Sequence, residues 1–247
     1  MAGFNTHVAV AAVIGGVGVA TLMVAGLADP QTGLVGFIAA TIGGVLPDVD
    51  AEDSWPLDLA FTLFALLGSF FIMFSQVPVY SIVELTVLWM VSFLFIKLAV
   101  CEMFVRFTVH RGIFHSLPAG VFFAGLTALL LMRLFHQSER FAWMTGLFVL
   151  LGYLVHLLLD ELYSLNLFGE GGVSASLGSA FKLSAPDGWA TAAMYVAIFL
   201  VYYVTPGLPA TLREIFTPAT LDAILARLVP VGPWFGLPFL AQFPGSR

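Results

Sequence analysis

Three short stretches hold most of the chemistry-bearing side chains of a chain that is otherwise nearly all hydrocarbon: "GGVLPDVD" at 43–50, "HRGIFHS" at 110–116 and "GYLVHLLLDE" at 152–161. In the last, His156 and Asp160 are four residues apart, so a helix presents both on one side, as two ligands from one helix require to reach one ion. Asp48 and Asp50 flank a single valine after Leu46-Pro47, and a turn leaving a helix can aim both carboxylates inward. His110 and His115 are five apart, about 140° around a continuous helix. They converge only if the chain bends between them; Gly112 permits that, and Pro118 suits the first turn of the next helix. His7, in "THVAVA", completes a set of seven imidazole and carboxylate donors with no thiolate, the ligand chemistry of zinc, manganese or iron. Seven donors are expected to hold two ions rather than one, since zinc takes three or four protein ligands.

A divalent ion with an open coordination position lowers the pKa of bound water from about 15.7 to about 7. Two ions roughly 3.5–4 Å apart suit attack on a phosphoester. Arg111 then meets the substrate anion, with Arg106 and Lys182 as further cationic partners. Arg106 is equally placed to pair with Glu102, four residues earlier, and Lys182 to be a solvated loop residue. Glu161, like Glu52 and Asp53, is close enough to act as a general acid or base and equally well placed as a solvated rim. The expected activity is metal-dependent hydrolysis of a phosphoester or lipid-linked substrate. The competing readings are a metal-ion or proton-coupled transporter using the same cluster, or a noncatalytic protein with a structural metal.

The elements that must position these residues are membrane helices. The 247 residues are 60% hydrophobic and 10% charged and include 24 phenylalanines, and the mean hydropathy of +1.00 fits no soluble class. A net charge of −6 without a basic stripe argues against nucleic acid as a partner, and the lone Cys101 excludes a disulfide framework. Apolar runs predict helices near 8–28, 33–47, 57–76, 79–105, 117–135, 141–163 and 189–205, an all-α polytopic bundle of about seven hydrophobic helices with the second short. Small residues at Ala12, Gly16 and Ala20 in the first helix, and at Gly36, Ala40 and Gly44 in the second, predict their close packing. If the helices alternate in direction, His7, Asp48, Asp50, His110, Arg111, His115, His156 and Asp160 share one membrane face, and His136 lies on the other as a solvated loop residue.

Residues 1–205 form the membrane metal-site domain, with a polar, Gly-rich loop at 164–188 long enough for a lid. A Pro/Gly-containing tail, 206–247, holds a short amphipathic helix near 220–228. "MAGFNTH" lacks the basic n-region of a cleaved signal, and no lipidation motif stands out. Discounting Arg106, Arg111 and Lys182 as site residues leaves Arg133 and Arg140 to mark the far face as cytoplasmic.

"GGVLPDVD", "HRGIFHSL" and "GYLVHLLLDELYS", in that order after "THVAVA", resemble the YdjM-type membrane-bound metal-dependent hydrolases, also described as LexA-binding, inner-membrane-associated hydrolases. The resemblance covers about residues 5–185, its most specific part being HRG-x-x-HS. It implies a bacterial inner membrane and a hydrolase of unspecified substrate. Gly152, His156 and Asp160 are also distantly similar to the Gly-x-x-x-His-x-x-x-Asp helix of zinc-dependent phospholipase C domains, but the chain lacks their soluble setting and a matching later histidine.

Overall fold

The computed structural model describes residues 3–50, 55–76, 80, 82–100, 102, 113–164 and 181–228. Helix α1 (Phe4–Val24) closes at Gly26, whose φ of 72° turns the chain back toward the bundle. Helix α2 (Pro30–Gly43) opens with Asp29 accepting from Thr32 N–H at 2.7 Å and with Pro30 at the first position, where the missing N–H costs nothing. It runs into a 3₁₀ turn, Leu46–Asp50. Helices α3 (Trp55–Ser75) and α4 (Ile82–Leu94) pair as a hairpin. The end of α4 widens into a π-helical turn, Phe95–Val100. Then come α5 (Leu117–Arg133), α6 (Glu139–Ser164), α7 (Gly188–Val204), α8 (Leu208–Ile215) and α9 (Pro218–Leu225). No strand occurs among the described residues.

Helix α6 is the axis of the bundle: α1, α2, α5 and α8 all pack on it, and α7 packs on α5. Close approach is written into its small residues. A side chain at Gly152 would collide with the Ala40 carbonyl of α2, one at Gly146 with the Ala124 carbonyl of α5, and one at Gly43 of α2 with the Val149 carbonyl of α6. Without water to drive apolar helices together, such backbone proximity lets dispersion hold them.

Each predicted apolar run contains a helix, but among the described residues fewer than seven of these helices have spanning length. Four helices among the described residues are long and apolar enough to cross a membrane, or five if α7 and α8, bent by 83° at Gly207, make one broken span. An apolar run marks a helix without making it long enough to cross; α5, at 17 residues, is an example. The short α2 reaches spanning length only with the turn that follows it, at Pro30–Asp48.

The packing stripe of α1 is displaced from the expected one. His7, Ala11, Gly15 and Val19 are buried, whereas Ala12 and Gly16 are half-buried and Ala20 is exposed. The pairs Ala11-Ala12 and Gly15-Gly16 offer two small stripes, one residue or 100° apart. Contact with α2 selects the stripe in which Gly15 meets Ala40 and Ala11 meets Gly44. On α2, Gly36, Ala40 and Gly44 are buried as expected. The 206–247 segment contributes more than the one helix anticipated. Both α8 and α9 pack on the bundle, against α6 and α1 respectively.

Candidate metal centre

The five donors within reach of one another come from four places in the chain. His7 sits in the first turn of α1 and Asp48 in the 3₁₀ turn after α2. His115 lies just ahead of α5, and His156 and Asp160 share one side of α6 near its end. His7, His115, His156 and Asp160 are buried; Asp48 keeps 23% of its side chain exposed.

His156 is the most tightly fixed. Its Nδ1–H donates to the Gly44 carbonyl at 2.8 Å, which leaves Nε2 as the lone-pair nitrogen. That Nε2 is buried with no hydrogen-bond partner, 3.6 Å from Asp48 Oδ1 and 3.7 Å from Asp160 Oδ2. His7 Nε2 lies 3.3 Å from Asp160 Oδ1, and His115 Nε2 lies 3.2 Å from Asp160 Oδ2. The His7 ring stacks on His156 at 3.6 Å, while the His115 ring meets it edge-on at 5.2 Å. Donors about 2.0–2.1 Å from a tetrahedral ion stand roughly 3.3–3.4 Å apart. The observed separations bracket that value, and an orphaned imidazole nitrogen aimed between two carboxylates is what an ion would satisfy. The buried His/Asp group can hold a metal ion.

Two overlapping triads satisfy ligand spacing, His7/His156/Asp160 and Asp48/His115/His156, each with its donor atoms within 4.8 Å of one another. Both draw on His156, whose Nδ1 already serves Gly44, so among the described residues the two triads share that side chain's one free nitrogen.

A family profile described as YdjM inner membrane protein matches residues 1–174, which include all five donors. The chain belongs to the YdjM inner membrane protein family. With its apolar spans, membership makes it an integral inner-membrane protein. No curated protein and no solved structure matches this YdjM-family chain.

His110, Arg106, Arg111 and Gly112 lie outside the described residues, as do the side chain of Asp50 and most of the 164–188 loop. Glu161 follows Asp160 on α6 and is half-buried. The Lys182 carbonyl accepts from Leu117 N–H at 3.2 Å at the start of α5, two residues after His115. His136 is exposed between α5 and α6, at the end of α6 away from His156, with a left-handed φ of 50° that histidine tolerates.

Three contributors escaped the sequence reading: the Gly44 carbonyl, Ser116 and Tyr153. Ser116 Oγ donates to the Ile113 carbonyl and Tyr153 OH to the Phe114 carbonyl, bracing the turn that carries His115. The available signal was Tyr153's place three residues before His156, on the same helical side. The sequence marks Gly152 only as part of a motif; its cause is the approach of α2.

Proposed function

We propose that this protein is a membrane-embedded, metal-dependent hydrolase, that its ion is zinc, and that it acts on a phosphoester lipid or lipid-linked phosphate. The observation that carries the reading is the His156 imidazole, held by Gly44 with its buried Nε2 free and two carboxylates within 3.7 Å. Three imidazoles with carboxylates and no thiolate suit zinc in a site of three or four ligands, with manganese and iron as weaker fits. A bound divalent ion supplies hydroxide near neutral pH.

The protein's own residues do the rest. His7, His115, His156 and Asp160 form the closed side of the centre, each no more than 8% exposed, and Asp48 forms the open one. Substrate therefore approaches over the 3₁₀ turn, at the end of the helices where lipid headgroups lie, which supports a lipid or lipid-linked substrate. Arg111 binds two phosphate oxygens with its planar fork, which the point charge of lysine cannot reproduce. Arg106 and Lys182 add positive charge, and Glu161 transfers a proton at its carboxylate.

The test is reconstitution in vesicles with a panel of phosphate-bearing lipids. Expected is release of phosphate or headgroup that stops on chelation, vanishes in His156→Ala and is lost in Arg111→Lys with metal content unchanged. A metal-loaded protein that releases nothing across the panel while carrying zinc between compartments overturns the hydrolase in favour of transport.

A further inference from the structure

His115 is the one described donor that lies outside any helix or helical turn, in the segment 113–116 ahead of α5. The two donors of α6 are held by the helix itself, and His156 also by Gly44. For His115, the peptide just before it is gripped by the buried phenol of Tyr153, whose hydroxyl donates to the Phe114 carbonyl. A phenolic O–H sealed in an apolar interior costs free energy unless it finds an acceptor. The acceptor it takes is the carbonyl adjoining a ligand. The Tyr153 ring is itself fixed, packed against Phe123 at 6.0 Å and against Gly120, where an added Cβ would come within 2.9 Å of Cδ1.

We propose that Tyr153 is a positioning residue of the metal centre: by tying the Phe114 carbonyl to α6, it sets His115 at the distance from His156 and Asp160 that one ion requires. The inference rests on the metal-centre reading. In this role Tyr153 acts through His115, whose Nε2 stands 3.2 Å from Asp160 Oδ2. Phenylalanine at 153 keeps the ring contacts and removes this donor alone. Alanine at 120 keeps the hydroxyl and displaces the ring that carries it. The two substitutions therefore disturb one bond by different routes.

The test is Co(II) titration of the full-length protein in detergent after chelation, reading both affinity and the d–d absorption of the bound ion. Outer hydrogen bonds that orient ligands are worth about 10–100-fold in metal affinity. Tyr153→Phe and Gly120→Ala are each expected to weaken Co(II) binding at least about tenfold and to shift the absorption band, with helix content unchanged. In the chelated protein, hydrogen exchange at residues 113–117 should be faster in Tyr153→Phe, showing that the turn is loosened before any ion binds. A purely structural role would lower the melting temperature and leave the spectrum of the bound ion as it is. If both variants match the wild type in affinity and spectrum, Tyr153 has no positioning role while the metal centre stands. If the wild type itself takes up no Co(II), the centre is overturned and this inference with it.

Discussion

Helices α4 and α6 are nearly equal in mean hydropathy and opposite in place. The spanning part of α6 has 67% of its residues buried in the protein, and that of α4, with its π-helical extension, has 6%. Hydropathy thus reports that a helix belongs in the membrane and is silent on whether it faces lipid or protein. The difference lies in small and polar residues at helical spacing. Helix α6 carries Gly146, Gly152 and His156 where neighbouring backbones come close. Helix α4 presents Ile82, Val83, Val87, Met90, Val91 and Leu94 outward. Its charged residue after that stretch, Lys97, donates to Thr62 of α3 at 2.6 Å. The candidate metal centre is built on the helix that has traded bulk for proximity.

The sharpest way to break this contrast is to add bulk to α6. Gly152→Val would drive a branched side chain into the Ala40 carbonyl, separating α2 from α6 and moving Gly44 off His156. Overpacking of about 1–3 kcal/mol is usual where side chains can yield. A backbone obstacle puts this substitution above that range, and thermal melts in detergent should show loss of the cooperative transition together with the metal. His156→Ala comes next: metal content should fall at least about a hundredfold, judged against outer-shell losses of about 10–100-fold, with helicity retained. Elemental analysis of the purified variant checks it.

Smaller effects sharpen the comparison. Asp29 caps α2 from outside the span, and its carboxyl is held below its ordinary value of 3.8, first by the backbone N–H of Thr32, then by that residue's hydroxyl, with Arg140 helping. A carboxyl with a lowered folded pKa stabilises the fold above its unfolded pKa, and that contribution disappears as pH falls through the folded pKa. Melting temperatures measured below pH 4 should therefore converge for wild type and Asp29→Asn and separate above it, the wild type being the more stable. The smallest expected effect is that of Val91→Leu on α4, within about 0.5 kcal/mol of wild type. A large loss there would mean that a partner covers the α4 face and that the contrast with α6 is false.

Much of this arrangement could be read from the residues before any coordinates. Alternating helices put the ends that carry His7, Asp48, His115 and His156 on one side, and the four-residue step from His156 to Asp160 needs only a helix. What stayed hidden depended on backbone. Nothing in the sequence says that the Gly44 carbonyl will fix a histidine 112 residues away, because every residue but its neighbours offers the same carbonyl. The adjacent pairs Ala11-Ala12 and Gly15-Gly16 left the packing stripe of α1 undecided until α2 chose. Helix α8 was missed because eight residues beginning Leu208-Pro209 resemble a broken tail; its pattern is Leu208, Leu212 and Ile215 at helical spacing. A count of seven donors along the sequence does not show that the two triads among the described residues share His156.

The end of α6 opposite the metal centre is tied down. Arg140 Nε lies 2.9 Å from both carboxylate oxygens of Glu214, its Nη2 donates to the Leu27 carbonyl at 2.6 Å, and Trp143 Nε1 donates to the Pro206 carbonyl at 2.6 Å. From Arg140 to His156 is 16 residues, about 24 Å of helix. Between them lie Trp143, Met144 and Phe148, all buried. The candidate centre is therefore expected to open toward the compartment on the Asp48 side and to be closed off from the other by these contacts. In sealed vesicles, an impermeant chelator on the Asp48 side should strip the ion, and the same chelator on the Arg140 side should leave it in place.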